Sequence, residues 1–300
     1  MRVDMLRKFR VSVPASSANL GPGFDAVGIA LDLRIRASVE PASHFSIRFS
    51  GEHAPLHDGY ERAILRAMAR VNPELPHVKM SVVNASPLGK GLGSSAAASL
   101  LGLIVASRAH GRPLRRSELA QLACDIEGHP DNALAALYGG AVVAASPAAA
   151  DCVRLAAPKD LRALIVVPAI DLSTSDARAL LPERYARHDM VFTAQRASLL
   201  GAALASGSWN ALQSAMRDRV HQPYRAEKIP GLAQALELRS KDLIGIALSG
   251  AGPSVLAIVR SAQASRAVAR RIEAAFAAAG VEAKALHLAF ASRGAIVAGA

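Results

Sequence analysis

Residues 87–97 read Pro87-Leu88-Gly89-Lys90-Gly91-Leu92-Gly93-Ser94-Ser95-Ala96-Ala97. This stretch follows a strand-like segment, 78–83, and opens a long, nearly uncharged segment, 94–110, so it joins a strand to a helix. Three glycines at alternate positions permit positive φ and a close approach of the backbone to a ligand. The start of the helix adds free N–H groups and the positive end of the helix dipole. The pattern therefore predicts a loop that binds a chain of phosphates.

Two familiar phosphate-binding motifs do not fit this loop. A Walker loop requires GxxxxGK[ST], and no glycine-lysine pair here is followed by serine or threonine. A dinucleotide-binding fold requires a second strand that ends in an acidic residue, whereas a helix follows residues 111–113. A tight strand–helix turn that uses glycine for its geometry alone remains the alternative.

Two further loops are rich in glycine and turn-forming residues. The first, PASSANLGPGFD at 14–25, lies between two predicted strands and carries the polar residues Asn19 and Asp25. The second, LSGAGPS at 248–254, separates two apolar strands. Each loop alone could be only an elaborate turn.

Composition narrows the class of protein. The 300 residues include 35 Lys and Arg against 24 Asp and Glu, a net charge of +11, but these charges are spread along the chain. Only 4% of residues are aromatic, which leaves little to stack on bases and favours a small anionic ligand over nucleic acid. Two distant cysteines give no disulfide framework, and no segment predicts a signal peptide or a membrane span. We therefore expect a cytoplasmic protein with no membrane partner.

The order of predicted elements indicates an α+β protein with two domains, 1–155 and 156–300, on either side of an Ala- and Pro-rich connector at 146–159. The first strand is expected to cover 9–13 and to stop at Pro14. A helix is expected at 209–220. Length alone also favours two domains.

The order, spacing and residues of the three glycine loops together resemble the three signature motifs of the GHMP kinases, the family named after galactokinase, homoserine kinase, mevalonate kinase and phosphomevalonate kinase. The resemblance implies an N-terminal ribosomal-protein-S5-like βαβ domain, a C-terminal ferredoxin-like domain, and ATP bound in the cleft between them. It also implies a homodimer.

Residues 13–25 (VPASSANLGPGFD) and 127–132 (EGHPDN) resemble most closely the branch of the family that acts on homoserine. Segments 168–182 and 221–231 are similar to the substrate side of that branch. One departure is NALAA at 132–136, where the family more often has NVAPA. The resemblance implies Mg²⁺-assisted transfer of a phosphoryl group from ATP to the side-chain hydroxyl of L-homoserine, in threonine biosynthesis.

Homoserine is a zwitterion, so its carboxylate requires arginine and its ammonium requires a carboxylate or amide oxygen. The residues expected at the acceptor site are Asn19, Asp25, His129, Thr174, Arg178, Arg225 and Gly250. Residues 87–97 are expected to bind the nucleotide, and Glu127 with Ser95 is expected to hold Mg²⁺, for which Ser94 is an alternative ligand. Glu127, Ser95 and Asn132 are the predicted catalytic residues.

Several of these residues have simpler interpretations. Arg178 could extend its charge from an apolar surface into solvent, and Arg225 could be a surface residue beside Pro223. Lys90 could approach the phosphates or be a solvated loop residue, and His129 could serve only a turn. Because the amide of Asn132 cannot take a proton, we expect transfer without a dedicated side-chain base.

Overall fold

The computed structural model describes residues 6–51, 53, 59–145, 149 and 151–299. Its strands are β1 (Phe9–Asn19), β2 (Gly23–Pro41), β3 (Ser46–Ser50), β4 (Val78–Asn84), β5 (Ala141–Ala144), β6 (Cys152–Leu155), β7 (Arg162–Pro168), β8 (Leu243–Leu248), β9 (Val255–Val259), β10 (Ala283–Leu288) and β11 (Ile296–Gly299). Its helices are α1 (Gly59–Ala69), α2 (Ser94–Ala109), α3 (Arg116–Glu127), α4 (Asp131–Tyr138), α5 (Thr174–Ala179), α6 (Arg187–Ser206), α7 (Leu212–Ala215), α8 (Gln222–Ala226), α9 (Leu232–Leu236) and α10 (Ala262–Ala278).

The first sheet has the strand order β11-β1-β2-β4-β3, with β5 on the first part of β2 and β6 on β5. Strands β3 and β4 are parallel and are joined by α1, which makes a βαβ unit, while the other pairs are antiparallel. Helices α1 to α4 cover one face of this sheet through the first core cluster. The expected N-terminal βαβ arrangement is therefore present.

Strand β1 does not stop at Pro14, contrary to the sequence prediction. It continues to Asn19, and its register with β2 shifts between Pro14 and Ala15. A proline lacks the N–H that a sheet ladder needs, and a bulge is one of the places where a strand tolerates it. The loop expected at 14–25 therefore shrinks to a turn at 20–22, between two strands.

Helix α2 lies at the centre of the first domain. Every residue from Ala96 to Ser107 is buried, as its nearly uncharged composition predicted. Leu100, Leu101 and Leu103 are fully buried, and each contributes about 1.5–3 kcal/mol by leaving water. Within the described part of the chain, no helix has both the length and the apolar character that crossing a membrane requires.

The second sheet is antiparallel with the order β10-β7-β9-β8. Helices lie between β7 and β8 and again between β9 and β10, so the chain follows the split βαβ, or ferredoxin-like, pattern. Strands β8 and β9 are buried along their whole length because helices pack over them. The predicted C-terminal fold is present.

The sheets divide between β6 and β7, close to the expected boundary at 155. Strand β11 nevertheless returns to the first sheet and pairs with β1. The last strand therefore belongs to the first domain, although the boundary at 155 would assign it to the second. The expected connector contains β6, with residues 146–148 and 150 outside the described part.

The helix expected at 209–220 is instead a 3₁₀ turn (Trp209–Ala211) followed by the one-turn α7.

Candidate active site in the cleft between the domains

The three glycine loops meet at a cleft of about 1370 Å³ between the two sheets. The hydroxyl of Ser249 donates to the carbonyl oxygen of Gly91 at 2.7 Å and lies 2.8 Å from the hydroxyl of Ser17. The Gly250 N–H donates to the Ala18 carbonyl at 3.0 Å. These buried hydrogen bonds join residues far apart in sequence and fix the floor of the cleft.

The three glycines of the predicted phosphate loop have the backbone conformation that the sequence predicts. Gly89, Gly91 and Gly93 all have positive φ, between 64° and 73°, and Gly93 is the N-cap of α2. A Cβ on Gly93 would lie 2.1 Å from the Ser16 hydroxyl oxygen, so glycine is needed for space as well as for conformation. The loop therefore lines the cleft with backbone groups at a helix N-terminus, an arrangement that favours anions.

Gly91→Ala is expected to destabilise the protein more than Gly89→Ala. Both positions have positive φ, which costs alanine about 1–2 kcal/mol. At Gly91 the added Cβ would also lie 2.2 Å from the Ser249 carbonyl oxygen, whereas at Gly89 it meets nothing within 4 Å. Urea unfolding should show a loss of about 3 kcal/mol or more for Gly91→Ala. Equal losses would mean that the contact between the loops does not constrain residue 91.

Glu127 lies beside the start of α2. Its Oε1 accepts hydrogen bonds from the hydroxyls of Ser95 (3.0 Å) and Ser99 (2.8 Å). Burial raises the pKa of the Glu127 carboxyl, and the two serine hydrogen bonds oppose that rise. Glu127 also ends α3, where a negative charge opposes the helix dipole. A carboxylate placed at such cost to the fold indicates a functional group.

The chemistry of this oxygen cluster fits a magnesium ion. One carboxylate and two hydroxyls are hard oxygen donors, which Mg²⁺ prefers, and few protein ligands suffice because the ion keeps waters. Ser94 donates its hydroxyl to the Pro87 carbonyl at 3.2 Å, away from Glu127. Of the two serines considered, Ser95 is therefore the one in the cluster.

At the other end of the cleft, Asp25 and Arg178 form a bidentate ion pair. Both Arg178 terminal nitrogens donate to the two Asp25 oxygens at 2.9 Å. The hydrogen bonds to Asp25 raise the pKa of Arg178. The sequence predicts that these two residues bind opposite ends of a zwitterion, whereas in the structure they bind each other across the cleft.

Arg225 is buried beneath this pair, which is contrary to a surface role. Its Nε donates to the Ala177 carbonyl at 3.1 Å, and its Nη1 donates to the Gly250 carbonyl and to His221 Nδ1, both at 3.1 Å. Its Nη2 has no protein partner within the described residues. Burial, followed by repulsion from Arg178, lowers the pKa of Arg225 to about 10.

His221 supports Arg225 from behind. Since Nδ1 accepts from Arg225, Nε2 carries the proton and donates to the Gly21 carbonyl at 2.7 Å. The ring packs against Phe24, with centroids 5.2 Å apart. Complete burial is the main cause that lowers the pKa of His221, so the neutral ring is the form that the fold requires.

The protein should lose stability in mild acid through His221. Because the folded-state pKa of His221 lies below the unfolded value of about 6.5, the unfolded chain binds more protons as the pH falls below that value. The contribution is complete above pH ~6.5 and declines below it by at most ~1.4 kcal/mol per pH unit. His221→Gln, which keeps a donor for Gly21, should remove this part of the slope in unfolding free energies measured across the pH range. The exposed-residue control His188→Gln should keep it, and an unchanged slope in His221→Gln would contradict the assignment.

His129 is held by Asp131, which is almost completely buried. Asp131 Oδ1 accepts from His129 Nδ1 and from the Asn132 N–H, both at 2.6 Å. The pKa of His129 is raised: burial, the largest influence, lowers it, but the hydrogen bond and charge of Asp131 outweigh burial. Ligand atoms of Asp25, His129 and Asp131 lie within 4.8 Å of one another, so this end of the cleft contains two carboxylates and an imidazole close together.

Other predicted residues line the cleft with less direct roles. Asn19 Oδ1 accepts from the Asp25 N–H and its Nδ2 donates to Gly250, so its polar atoms position neighbours. Gly250 likewise uses both backbone groups, and Thr174 is exposed at the start of α5. Asn132 Oδ1 accepts from the Ser16 hydroxyl at 2.9 Å.

Two parts of the predicted nucleotide loop differ from expectation. Ala96 and Ala97 are buried in the hydrophobic core, because the helix is covered on all sides, and they do not line the cleft. Lys90 is not a solvated loop residue: its Nζ donates to the Ile170 carbonyl and to Asp171, both at 2.6 Å. Lys90 therefore links the loop to the second domain across the cleft.

Three residues of the site were not predicted from the sequence: Asp131, Ser99 and His221. Ser99 lies one helical turn after Ser95, a spacing that could have identified it. Asp131 was part of the quoted EGHPDN segment, but its burial depends on the packing of α4. The role of His221 depends on Gly21, 200 positions earlier, for which the sequence carries no signal.

Comparisons with known proteins agree with this geometry. The family models "GHMP kinases N terminal domain" and "GHMP kinases C terminal" match residues 60–140 and 200–278. A homoserine kinase from Solibacter usitatus is 40% identical over 294 residues, covering 95% of this chain and 96% of that protein. One from Deinococcus radiodurans is 42% identical over 257 residues, 83% and 84% of the two chains. The crystal structure of homoserine kinase from Cytophaga hutchinsonii superposes with a TM-score of 0.81 at 26% identity, covering 99% of both chains.

The fold and the cleft together define a small-molecule kinase. The cleft lies between two such domains and contains a glycine loop at a helix N-terminus with a carboxylate beside it. The family models and the full-length relatives make the assignment specific: the chain belongs to the GHMP kinase family. The predicted two-domain α+β fold is confirmed. Kinases of this family use ATP as the phosphoryl donor.

Proposed function

We propose that this enzyme transfers the γ-phosphoryl group of ATP to the side-chain hydroxyl of L-homoserine and releases O-phospho-L-homoserine, a step of threonine biosynthesis. The observation that carries the proposal is the pairing of both charge signs at the acceptor end of the cleft, with Arg225 and Arg178 beside Asp25 and Asp131. A zwitterion needs both signs, whereas a sugar or mevalonate does not need a partner for an ammonium group. The homoserine kinases among the relatives support the same acceptor.

The nucleotide would lie with its phosphates on the loop 87–95. Backbone N–H groups and the N-terminus of α2 would neutralise charge there without rearrangement. Glu127 and Ser95 would hold Mg²⁺, which, when bound, supplies positive charge at the phosphate oxygens. Lys90 would keep the loop attached to the second domain.

We assign the acceptor carboxylate chiefly to Arg225. Both terminal nitrogens of Arg178 bind Asp25, whereas Nη2 of Arg225 has no protein partner among the described residues, and Arg225 lines the cleft. Asp25, supported by Asp131, would attract the ammonium group. Holding both ends of the acceptor aligns its hydroxyl for transfer.

The reaction would proceed without a dedicated side-chain base. The transition state of phosphoryl transfer is loose, so alignment and charge neutralisation matter most. Asn132 is an amide, and the raised pKa of His129 favours its protonated form, which donates rather than accepts. The hydroxyl proton would pass to phosphate or solvent.

The cellular setting and the oligomeric state are proposals, the first based on the composition of the chain and the second on its family. We infer that the enzyme acts in the cytoplasm and forms a homodimer, with no nucleic acid or membrane among its partners. Size-exclusion chromatography with light scattering would measure the oligomeric state.

Release of ADP from Mg·ATP tests the function, with L-homoserine, mevalonate, shikimate and galactose as separate acceptors. We expect turnover with L-homoserine alone. N-acetyl-L-homoserine, which lacks the ammonium charge but keeps the carboxylate and hydroxyl, is the matched control and should react poorly. Turnover with a different acceptor would refute the proposed substrate. ATP binding without turnover on any acceptor would favour a ligand sensor built on the same fold.

A further inference from the structure

A second cavity, of about 250 Å³, lies on the C-terminal domain and shares no lining residue with the cleft. Three arginines line it: Arg217 and Arg219, which follow α7, and Arg239, which follows α9. Phe192, from α6, forms part of the wall. The activity proposed above uses none of these residues.

The arginines are concentrated on one aromatic ring. The guanidinium carbons of Arg219, Arg196 and Arg217 lie 4.2, 4.8 and 5.7 Å from the ring centroid of Phe192. The face of an aromatic ring attracts cations, so Phe192 helps to hold like charges near one another. Stacked guanidinium groups also keep their N–H edges available for an anion.

The neighbouring acids neutralise this cluster only in part. Asp189 pairs with Arg219 at 3.2 Å, and Glu237 pairs with Arg239 at 3.4 Å. The Asp218 side chain is buried, and its carboxylate accepts from the backbone N–H groups of Val220, His221 and Gln222. Among the described residues, Arg217 makes no side-chain hydrogen bond or ion pair, and the buried Nε of Arg196 has no partner.

We infer that this cavity is a binding site for a small phosphate, either inorganic phosphate or a compact phosphate monoester. Guanidinium forks match phosphate oxygens in geometry, and a doubly charged anion suits a cluster with unpaired positive charge. The volume admits one phosphate with a small substituent. Arg217 and Arg219 would provide the principal contacts.

One chain segment lines this cavity and supports the acceptor end of the cleft. Met216 and Gln222 line the second cavity, and Asp218, between the two arginines, fixes the N–H groups of residues 220–222. The same segment carries His221, which supports Arg225. A bound phosphate would therefore restrain the segment that positions the carboxylate-binding arginine.

Isothermal titration with inorganic phosphate tests the site. The cleft is first filled with Mg²⁺, a non-hydrolysable ATP analogue and L-homoserine, so that the glycine loop does not bind the probe. Chloride keeps the ionic strength constant. We expect saturable binding of one phosphate per chain, weakened at least about tenfold when Arg217→Gln and Arg219→Gln are combined. Methyl phosphate distinguishes a monoester site, which accepts it, from one limited to inorganic phosphate.

The matched control combines Arg266→Gln with Arg270→Gln, two exposed arginines of α10, and removes the same charge. It should bind phosphate as the wild type does. Equal weakening in both double variants would indicate diffuse charge attraction and overturn the site. The site would also be refuted if the wild type showed no saturable binding of phosphate, or if it bound acetate as tightly as phosphate. Arg217→Gln alone, at an exposed residue, provides the test if the double variant does not fold.

Discussion

The Glu127→Gln variant should turn over about 10³-fold more slowly than the wild type, because one group that neutralises transition-state charge is worth about 3–4 kcal/mol. The amide keeps an oxygen that can accept from Ser95 and Ser99, so the substitution removes charge and little else. The effect should fall on kcat and on the apparent affinity for Mg²⁺. Steady-state kinetics over a range of Mg²⁺ concentrations measures both.

Asp125→Asn is the matched control for Glu127→Gln. Asp125 lies on the same helix, is exposed and accepts a hydrogen bond from Gln121 at 2.7 Å. Removing its charge should change kcat by no more than about twofold, since exposed charges are screened by solvent. Similar kinetics for the two variants would show that Glu127 acts only through its general negative charge.

The Arg225→Lys variant should lose about 10²-fold or more in kcat/KM for L-homoserine. Lysine keeps the charge but not the planar set of donors, and breaking a buried, hydrogen-bonded charge pair costs about 2–5 kcal/mol. The loss should fall mainly on the KM for the acceptor, while the KM for ATP changes little. Measuring both KM values separates a binding role from a general disturbance of the cleft.

Arg225 also holds the Ala177 and Gly250 carbonyls, so a stability measurement must accompany the kinetics. Arg184→Lys is the control, because Arg184 is exposed and does not line the cleft. Its kinetics should match those of the wild type. A normal KM for L-homoserine in Arg225→Lys would refute the assignment of the carboxylate to Arg225.

The local features of this fold follow from local sequence. The buried helix α2 was evident from its composition, and the glycine loop before it from the spacing of three glycines. The same loop pattern indicated positive φ, which all three glycines adopt. These features depend on neighbouring residues, so a pattern read along the chain captures them.

The parts that were missed depend on distant contacts. The prediction that β1 ends at Pro14 is wrong because the bulge that accommodates this proline depends on pairing with β2. Asp25 and Arg178 are 153 positions apart, and nothing in either local sequence indicates that they bind each other. The burial of Arg225 likewise results from packing between α5, α8 and the 249–254 loop.

The pairing of β11 with β1 affects the order in which the two domains can fold during synthesis. Strand β1 (Phe9–Asn19) lies between β2 and β11, and β11 comprises residues 296–299. During synthesis the outer edge of β1 therefore has no native neighbour until translation has passed the whole second sheet and its helices. An unpaired strand edge invites wrong pairings. The first domain completes its sheet only after the second has been synthesised, so the two halves of this kinase do not mature in the order in which they leave the ribosome.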